Sequence, residues 1–460
     1  MTAARTMKLG DVAESMKNGI YKAKDSYADD GVPCLRMYNI EAGAIVWKDI
    51  KRMTLTAQEL NDYGLEPGDL LVNRVNSREL VGKTALITPS VGRCVFESKN
   101  IRVRLRRDLA DPAYMNYALS AFGHSHFDRN AQQVVGMASV SQPQVAAFEF
   151  TWQPVEQQRE TVAYLDEQLS RLDASVAALL RAHANLKRYR ASVLEAACEG
   201  RLVPTEAELA RAEGRTFETG AELLQRVLGE RRAHRSGKGK YKDPTQPTIG
   251  GLPKLSEGWA WTTIEQLTHL VTSGSRGWGA FYAETGVLFI RAQDINTDAL
   301  NIQGIARVGV PDDAEGTRSG VGSNDILITI TGANVTKSAL VPVLCEPAFV
   351  SQHVALLKLN LEATAAFVFN WIVSSSNGRK TLEAWAYGAG KPGLSLEQVR
   401  NLPVALPPLP EQHRIVAEAD RRLSLIRGAE AQVSANLARA KRLRQSILQA
   451  AFAQPGSAGQ

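Results

Sequence analysis

The chain repeats itself: nearly all of its 460 residues fall into two copies of one pattern, the second about 254 positions after the first. The segment Val162–Ala197 aligns without a gap on Val416–Ala451, with 14 identities in 36 positions, including KRYRASVLEAA against KRLRQSILQAA. Further upstream, GVPCLRMYNI from Gly31 matches GVLFIRAQDI from Gly286. The repeat therefore includes globular regions as well as the segments that follow them, and two copies make the protein.

Each copy begins with short β-branched runs separated by Gly, Pro and Asn turn signals, which is typical of strands in a mixed α/β domain. In the first copy these runs are GAIVW, DLLVNRV, TALITP and IRVRL. Each copy closes with a long helical segment introduced by proline, in QPVEQQR and in PPLPEQHR. Apolar residues recur there at spacings of three and four, which predicts a coiled-coil seam with imperfections at Glu430 and Arg444.

The predicted fold class is α+β: two mixed α/β domains joined by two long helices that pair as an antiparallel coiled coil, with an internal pseudo-twofold repeat. A helix of roughly 54 Å, at 1.5 Å per residue, cannot bury its apolar stripe inside a small domain, so the two helices are expected to pair with each other. The predicted boundaries are 1–153 for the first domain, 154–200 for the first helix, 201–253 for a linker with a short helix and a basic loop, 254–408 for the second domain, 409–453 for the second helix and 454–460 for a tail.

The composition, 44% hydrophobic and 22% charged residues, is that of an ordinary folded protein. No apolar run approaches the roughly 18–20 residues that a membrane helix requires, and the N-terminus lacks the apolar stretch of a signal peptide. We therefore expect a cytoplasmic protein with no membrane partner. Neither a disulfide framework nor a zinc site is indicated, and no metal is predicted, because no CxxC pair occurs among the four cysteines Cys34, Cys94, Cys198 and Cys345.

The net charge of +6 permits a polyanionic partner without requiring one. Locally the signal is sharper, since seven basic residues and one acid lie between Arg226 and Lys242, in a stretch that ends as a Gly-rich loop. That stretch is interpreted either as a solvated linker or as a site for a polyanion.

Three fragments imitate catalytic motifs. The phosphate-loop likeness of SRELVGKT (77–84) lacks the first glycine, so a strand-connecting loop with Lys83 exposed is the better interpretation. DPAY (111–114) departs from an amino-methyltransferase motif and is better interpreted as a helix N-cap at Asp111 followed by proline. His124 and His126 have no acidic or cysteine cluster beside them and are interpreted as part of a surface loop. No catalytic residue is therefore predicted, and the chain is not expected to be an enzyme by itself.

The arrangement of two diverged domains, each followed by a similar long helix, resembles the specificity subunits of type I restriction-modification systems. The resemblance is carried by PVEQQR and SVLEAACEGRLVP in the first copy, and by LPKLSEGWAWTTIEQL, PPLPEQHRIV and SILQAAF in the second. GVPCLRMYNI, GVLFIRAQDI, EPGDLLVNR and SNDILITITG are similar to the family's strand motifs. The match covers residues 7–453, although Val155 precedes Glu156 where the second copy has Pro410 before Glu411.

The resemblance implies that each domain is a target recognition domain that reads one half of a bipartite, asymmetric site on double-stranded DNA. The helix pair would set the distance between the halves and dock two methyltransferase subunits, and restriction subunits that translocate and cut DNA would join them. The chain itself would catalyse nothing and bind no cofactor. S-adenosylmethionine is expected on the methyltransferase partner, and ATP and Mg on the restriction partner.

DNA contacts require donors on exposed loops, since phosphate contacts position a protein and base-edge contacts specify the sequence. The candidates in the first domain are Tyr21, Lys22, Lys24, Arg74, Asn76, Arg78, Lys83, Gly136 and Ser139. The candidates in the second domain are Ser275, Arg276, Trp278, Thr331, Asn334, Lys337, Gly390 and Lys391. The candidates for partner binding are Lys187, Arg188, Lys441 and Arg442, whose charge also suits the C-terminal parts of the helices.

Two other functions remain open from the sequence alone. A coiled-coil spacer that binds protein ligands through its end domains would show no salt-dependent DNA binding, whereas neutralising phosphates gives a steep loss of affinity with salt. A self-sufficient methyltransferase or nuclease is disfavoured, because the sequence has no cofactor loop and no acid cluster.

Overall fold

The computed structural model describes residues 5–134, 136–233, 241–274, 276–296, 298–309, 316–388 and 392–453. The chain divides into two compact units. The first unit holds the residues up to Arg181 together with those from Val433 onward, and the second unit holds Ala182–Gln432. Residues 234–240 of the predicted basic linker and the predicted tail lie outside the described residues.

The first unit is built around short strands, one longer helix and a segment of each long helix. Its elements before the first long helix are β1 (Arg5–Lys8), α1 (Leu9–Val12), β2 (Ala13–Asn18), β3 (Tyr27–Leu35), β4 (Ile40–Glu41), β5 (Ala44–Ile45), β6 (Lys51–Met53), α2 (Ala57–Tyr63), β7 (Leu70–Asn73), β8 (Val75–Asn76), β9 (Thr84–Leu86), β10 (Val95–Phe96), β11 (Asn100–Leu105), α3 (Pro112–Asn130), β12 (Gln132–Val134), β13 (Met137–Ser139), α4 (Gln142–Ala146) and β14 (Glu149–Trp152). The first long helix, α5 (Val155–Cys198), follows at once.

The second unit follows the same plan after two linker helices. Its elements are α6 (Glu206–Glu213), α7 (Gly220–Ala233), β15 (Ala260–Thr263), α8 (Ile264–Leu267), β16 (Thr268–Ser273), β17 (Tyr282–Ala283), β18 (Val287–Ile290), β19 (Ile295–Asn296), β20 (Ala299–Leu300), β21 (Ala306–Val308), β22 (Gly320–Val321), β23 (Ile326–Thr329), β24 (Ser338–Leu340), β25 (Ala348–Val350), β26 (Val354–Leu359), α9 (Ala365–Val373), α10 (Gly378–Trp385), α11 (Leu396–Arg400) and β27 (Pro403–Leu406). The second long helix is α12 (Leu409–Ala453).

The repeat seen in the sequence is present in the sheet topology. The first unit has an antiparallel four-stranded sheet in the order β2-β11-β7-β9, and the second has one in the order β16-β26-β23-β24. Each strand of one sheet begins 254 to 256 positions after its counterpart in the other. A parallel pair, β3 with β10 and β18 with β25, also occurs in each unit. The predicted mixed α/β domains and their duplication are confirmed.

Both long helices begin where the sequence predicts, directly after Pro154 and Pro408. The seam charges that interrupt the apolar pattern form ion pairs between the helices. Arg444 lies 2.6 Å from Asp173 in the first unit, and Arg190 lies 4.0 Å from Glu430 in the second. The later of the two α5 residues, Arg190, pairs with the earlier of the two α12 residues, Glu430. The helices therefore run antiparallel, as predicted.

The core of each unit includes residues of both long helices, and this fixes the domain on the helix pair. In the first unit Leu165 and Leu169 of α5 join Leu448 and Phe452 of α12 in the cluster that also contains the four-stranded sheet. Phe452 packs edge-on against Tyr114 of α3, with ring centroids 5.0 Å apart. In the second unit Val193, Leu194 and Ala197 of α5 and Ile415, Ala419, Leu423 and Ile426 of α12 occupy the corresponding core.

A buried glutamine at the start of each long helix ties the helix to its domain. Gln158 is fully buried, and its side chain donates to the carbonyls of Leu109 (3.0 Å) and Gln153 (2.7 Å) while accepting from the N–H of Asp111 (2.8 Å). Gln412, 254 positions later, is also fully buried and donates to Pro407 at 2.9 Å. The sequence comparison placed Glu156 opposite Glu411, but the structure aligns the glutamines that follow them.

The N-cap predicted at Asp111 is confirmed. Its carboxylate accepts from the N–H groups of Ala113 (2.9 Å) and Tyr114 (3.1 Å), and Pro112 occupies the first position of α3. The interpretation of His124 and His126 as a surface loop is wrong, because both residues lie within α3. His126 instead contacts the carbonyl of Gln144 through Nε2 at 2.9 Å.

Candidate nucleic-acid interface

In the first unit, two of the predicted DNA-contacting loops lie side by side. β8 pairs with β13, the second strand of the hairpin that Gly136 closes at a φ of +75°. The N–H of Val140 donates to the carbonyl of Arg74 at 2.8 Å and joins the two loops at their base. The structure therefore brings Arg74, Asn76 and Ser139 together, although the sequence placed them in separate candidate loops.

The second unit joins its two loops with the same bond. The N–H of Leu394 donates to the carbonyl of Ile330 at 2.8 Å, and Thr331 forms a β-bridge with Gly393. Thr331 therefore lies against the other candidate loop of this unit. The candidate loops that the repeat places at equivalent positions are therefore joined in the same way in both units.

Two predicted cations of the first unit are held by carboxylates. Lys22 is 2.8 Å from Glu59 and also donates to the carbonyl of Thr54, and its hydrogen bond is the largest of the effects that lower the pKa of Glu59. Arg78 contacts both carboxylate oxygens of Asp128, at 2.6 and 3.3 Å. Part of the hydrogen-bonding capacity of these two side chains is therefore already used within the protein.

Two predicted asparagines shape the loops instead of extending from them. Asn76 is 8% exposed, donates to Oδ1 of Asn73 at 2.9 Å and accepts from the N–H of Ser77 at 2.9 Å. Asn334 donates to the carbonyl of Ala292 at 3.1 Å. Both fix the backbone that presents neighbouring residues.

Other predicted residues remain accessible to a ligand. Tyr21 is 84% exposed, and Arg276 is also exposed. Arg74, which donates from Nε to Val140 at 3.4 Å, and Lys337 are half-buried. Four candidates cannot be placed: the side chain of Lys24 and the residues Ser275, Gly390 and Lys391 lie outside the described part of the chain.

Lys83 was expected to be exposed, and that expectation is wrong: it is half-buried in a cleft of about 470 Å³ in the first unit. Lys441 and Arg444 of α12 line the same cleft, so a predicted DNA contact and a predicted partner contact meet there. The preceding segment does not wrap a phosphate, since Gly82 uses its N–H on the carbonyl of Asn73 and packs against Phe127.

A smaller cleft of about 160 Å³ lies at the equivalent place in the second unit. Arg190, Leu194 and Asn370 line it where Arg444, Leu448 and Asn116 line the first. This pair of clefts, between domain and helix, was missed because its walls come from segments far apart in the sequence. The repeat alignment was the only signal that could have matched them.

Trp278 was predicted as a DNA contact on a loop, but it is only 8% exposed. It stacks on Phe289 and Phe349, with ring centroids 5.4 and 5.7 Å apart. Burying an indole on two rings is worth more than an exposed contact, so Trp278 forms a wall of the second domain and offers DNA only its remaining edge.

The four predicted partner-binding residues are exposed on the helices. Arg188 donates to Oδ1 of Asn185 on its own helix at 2.7 Å. Lys187 with Arg188 and Lys441 with Arg442 occupy equivalent positions, each directly after a residue of the helix seam. The same basic surface is therefore available twice.

Within the described residues, no group of three or more His, Cys, Asp or Glu side chains could hold a metal ion. Over the same residues, no helix is both long and apolar enough to cross a membrane. Cys34, Cys94 and Cys198 are buried, and burial raises the pKa of the Cys34 thiol to about 12, while Cys345 is exposed.

The fold and its loops define a two-domain recognition scaffold, in which each unit presents a matched pair of loops from a domain fixed on two long helices. Residues 318–424 match the type I restriction modification DNA specificity domain. Over 440 residues, 92% of this chain and 80% of the relative, the sequence is 24% identical to the type I restriction enzyme EcoBI specificity subunit of Escherichia coli. It is also 34% identical to the EcoDI specificity subunit of Escherichia coli over 98 residues, 20% of this chain and 21% of that one.

One solved chain, from work on complex assembly and conformational transition of the type I R-M system, aligns over 98% of both chains with a TM-score of 0.63 at 17% identity. That likeness shows a shared fold. Together with the domain match and the relatives, it confirms the resemblance drawn from the sequence. Over most of its length this chain is similar to a type I restriction enzyme specificity subunit, and the coiled-coil spacer alternative is not favoured.

Proposed function

We propose that each unit of this specificity-subunit homologue binds one half of a bipartite, asymmetric DNA site. The observation that carries the proposal is the bond that joins two loops at the same place in each unit, Arg74 with Val140 and Ile330 with Leu394. Around these identical joints the loop residues differ, so the two units present different donors from the same frame. Two different half-sites are what such a pair of surfaces would select.

The helix pair would set the distance between the half-sites and dock two methyltransferase subunits. The exposed basic pairs at equivalent positions of α5 and α12 support this, because two identical partners require two equivalent surfaces. In this proposal the chain supplies recognition and no catalysis. S-adenosylmethionine belongs to the methyltransferase subunits, and ATP and Mg belong to restriction subunits that join the complex.

The first test is a genome-wide map of methylated bases in cells that carry this chain with its methyltransferase partner. A gapped, two-part asymmetric motif that disappears when the chain is deleted is expected. An unchanged methylation pattern, with the partner shown to be active, would contradict the proposal.

A domain exchange tests the modular part. Replacing residues 1–153 with the corresponding domain of a relative of different specificity is expected to change one half of the motif and leave the other half intact. A change in both halves would contradict the assignment of one half-site to each unit.

A further inference from the structure

The second unit contains a pocket of about 280 Å³ that is lined by its aromatic cluster. Trp278 and Phe289 form the apolar wall, and Tyr282, 50% exposed, stands edge-on to Phe289 with ring centroids 5.8 Å apart. Two exposed glutamines, Gln293 and Gln352, lie at its rim. The pocket therefore combines a flat apolar surface with amide groups, as binding sites for planar polar ligands do.

A buried hydroxyl without a partner lies in the wall of this pocket. Ser351 is 6% exposed, and its Oγ has no hydrogen-bond partner among the described residues. Its backbone is fully engaged, since its N–H donates to Ile290 at 2.8 Å and its carbonyl accepts from Val354 at 3.0 Å. Buried polar side-chain atoms nearly always bond a protein group or water, so this hydroxyl at the pocket wall is available to a ligand that reaches it.

In the first unit a glutamate stands at the position equivalent to Ser351. Glu97, 254 positions before Ser351, accepts from the N–H of Met37 through its carboxylate at 3.0 Å. The surrounding strands correspond, because Cys34 pairs with Val95 as Phe289 pairs with Phe349. Where the first unit has a glutamate that bonds a backbone N–H, the second unit has a serine whose hydroxyl has no partner among the described residues.

The charges around the pocket suit a base more than a phosphate. Arg291 is the only Lys or Arg among its lining residues, all of which the structure describes, and Asp294 holds it through two bonds of 3.0 Å. That pair is also the main reason why the pKa of Arg291 is raised. The one Lys or Arg side chain of the lining is thus already paired, and the two glutamines and Ser351 offer uncharged donors and acceptors.

We propose that this pocket, lined by Trp278, Gln293, Ser351 and Gln352, reads the edge of one base in the half-site that the second unit binds. Gln352 donates to Nε2 of His353 at 3.2 Å, which orients its amide and leaves the carbonyl and the second N–H for a ligand. A glutamine amide pairs in this way with N6 and N7 of adenine, so adenine is the expected base. This inference rests on the proposed function, since it assigns one position of the site proposed there.

The test uses the complex of this chain with its methyltransferase partner, and duplexes that carry the methylated motif with one base pair changed at a time. The domain exchange assigns the half-site of the second unit. The wild-type complex is expected to reject a change at one adenine position by on the order of tenfold or more, and Gln352→Ala and Gln293→Ala should remove most of that discrimination. Gln303→Ala, at an exposed glutamine of the same unit, is the matched control and should leave every position unchanged.

Ser351→Glu provides a second variant, because it restores the residue type that occupies this place in the first unit. It is expected to abolish the preference at the same single position while the other unit's half-site is still recognised. Discrimination that persists at every position in all three variants would overturn the inference, and so would an affinity loss that is equal for all duplexes. In either case a wild-type complex that still selects a bipartite motif would support the proposed function. A wild-type complex that selects no bipartite motif would contradict the proposed function itself.

Discussion

The two units share a frame and differ in what completes it. In the first unit Gln158 makes three hydrogen bonds and Glu97 caps a backbone N–H. In the second, Gln412 makes one bond and leaves Oε1 without a partner among the described residues, and Ser351 leaves its hydroxyl in the same condition. The two units therefore share backbone bonds at equivalent places and differ in the partners of the side chains there.

The largest expected effect separates the two buried glutamines. Gln158→Ala should lower the free energy of unfolding by about 3 kcal/mol, because roughly 1 kcal/mol is lost for each of its three bonds, whereas Gln412→Ala should cost about 1 kcal/mol. Urea unfolding of the full chain, with hydrogen exchange to locate the change, measures both. Equal losses would contradict the assignment of three hydrogen bonds to Gln158 and one to Gln412.

The second comparison concerns Arg414, whose counterpart in the first unit is Glu160. Burial alone would raise the pKa of Glu206, but its ion pairs with Arg414 and Arg215, each 2.7 Å long, outweigh burial and lower that pKa. Glu206→Gln should cost about 2 kcal/mol at pH 7. The control Glu213→Gln, at an exposed carboxylate on the same helix, should cost much less.

The pH dependence of this cost has a defined sign. Because the folded pKa of Glu206 is below its ordinary value of 4.5, the stabilisation is complete above pH 4.5 and is lost as the pH falls through the lowered value. The stability difference between wild type and Glu206→Gln should therefore shrink when urea unfolding is repeated in acid. A difference that stays constant with pH would rule out the ion pairs as its cause.

A smaller effect is expected at the position that holds Glu97 in the first unit and Ser351 in the second. Glu97→Ala should cost about 1 kcal/mol through the lost bond to Met37, while Ser351→Ala should leave stability nearly unchanged because the hydroxyl bonds nothing in the described chain. Thermal unfolding of both variants checks this. A clear loss for Ser351→Ala would point to a structural role and weaken the case for a ligand.

The smallest effect concerns the ion pairs between the helices. Asp173→Asn removes the 2.6 Å pair with Arg444 and should cost about 0.5 kcal/mol, whereas Glu430→Gln removes the 4.0 Å pair with Arg190 and should cost less. Both costs should diminish in 1 M salt, which screens exposed charges. Unfolding at low and high salt separates this effect from lost packing.

Sequence reasoning succeeded where the physics is local or periodic. The helix starts after Pro154 and Pro408 and the N-cap at Asp111 follow from residues close together in the chain, and the helix seam follows from a regular spacing. The antiparallel pairing cannot be read from that spacing; it is favoured by the connection that carries the chain from the first helix to the second domain. The duplication needed only the comparison of the chain with itself.

It failed where partners come from distant segments. Lys22 meets Glu59 across 37 positions and Arg78 meets Asp128 across 50, so side chains expected to be free are paired. The burial of Trp278 depends on Phe289 and Phe349, which no local pattern brings together. The candidate base pocket has the same origin, although the change from Glu97 to Ser351 at one repeat position was a visible signal.

The bonds from Val140 to Arg74 and from Leu394 to Ile330 have a practical consequence for engineering. Each uses only main-chain atoms, so any residue except proline can stand at the donor position. The exposed tips of the two loops can therefore vary while the backbone bond that joins the loops at their base is kept. A library that varies the loop tips and keeps these backbone bonds would generate new surfaces on an unchanged domain.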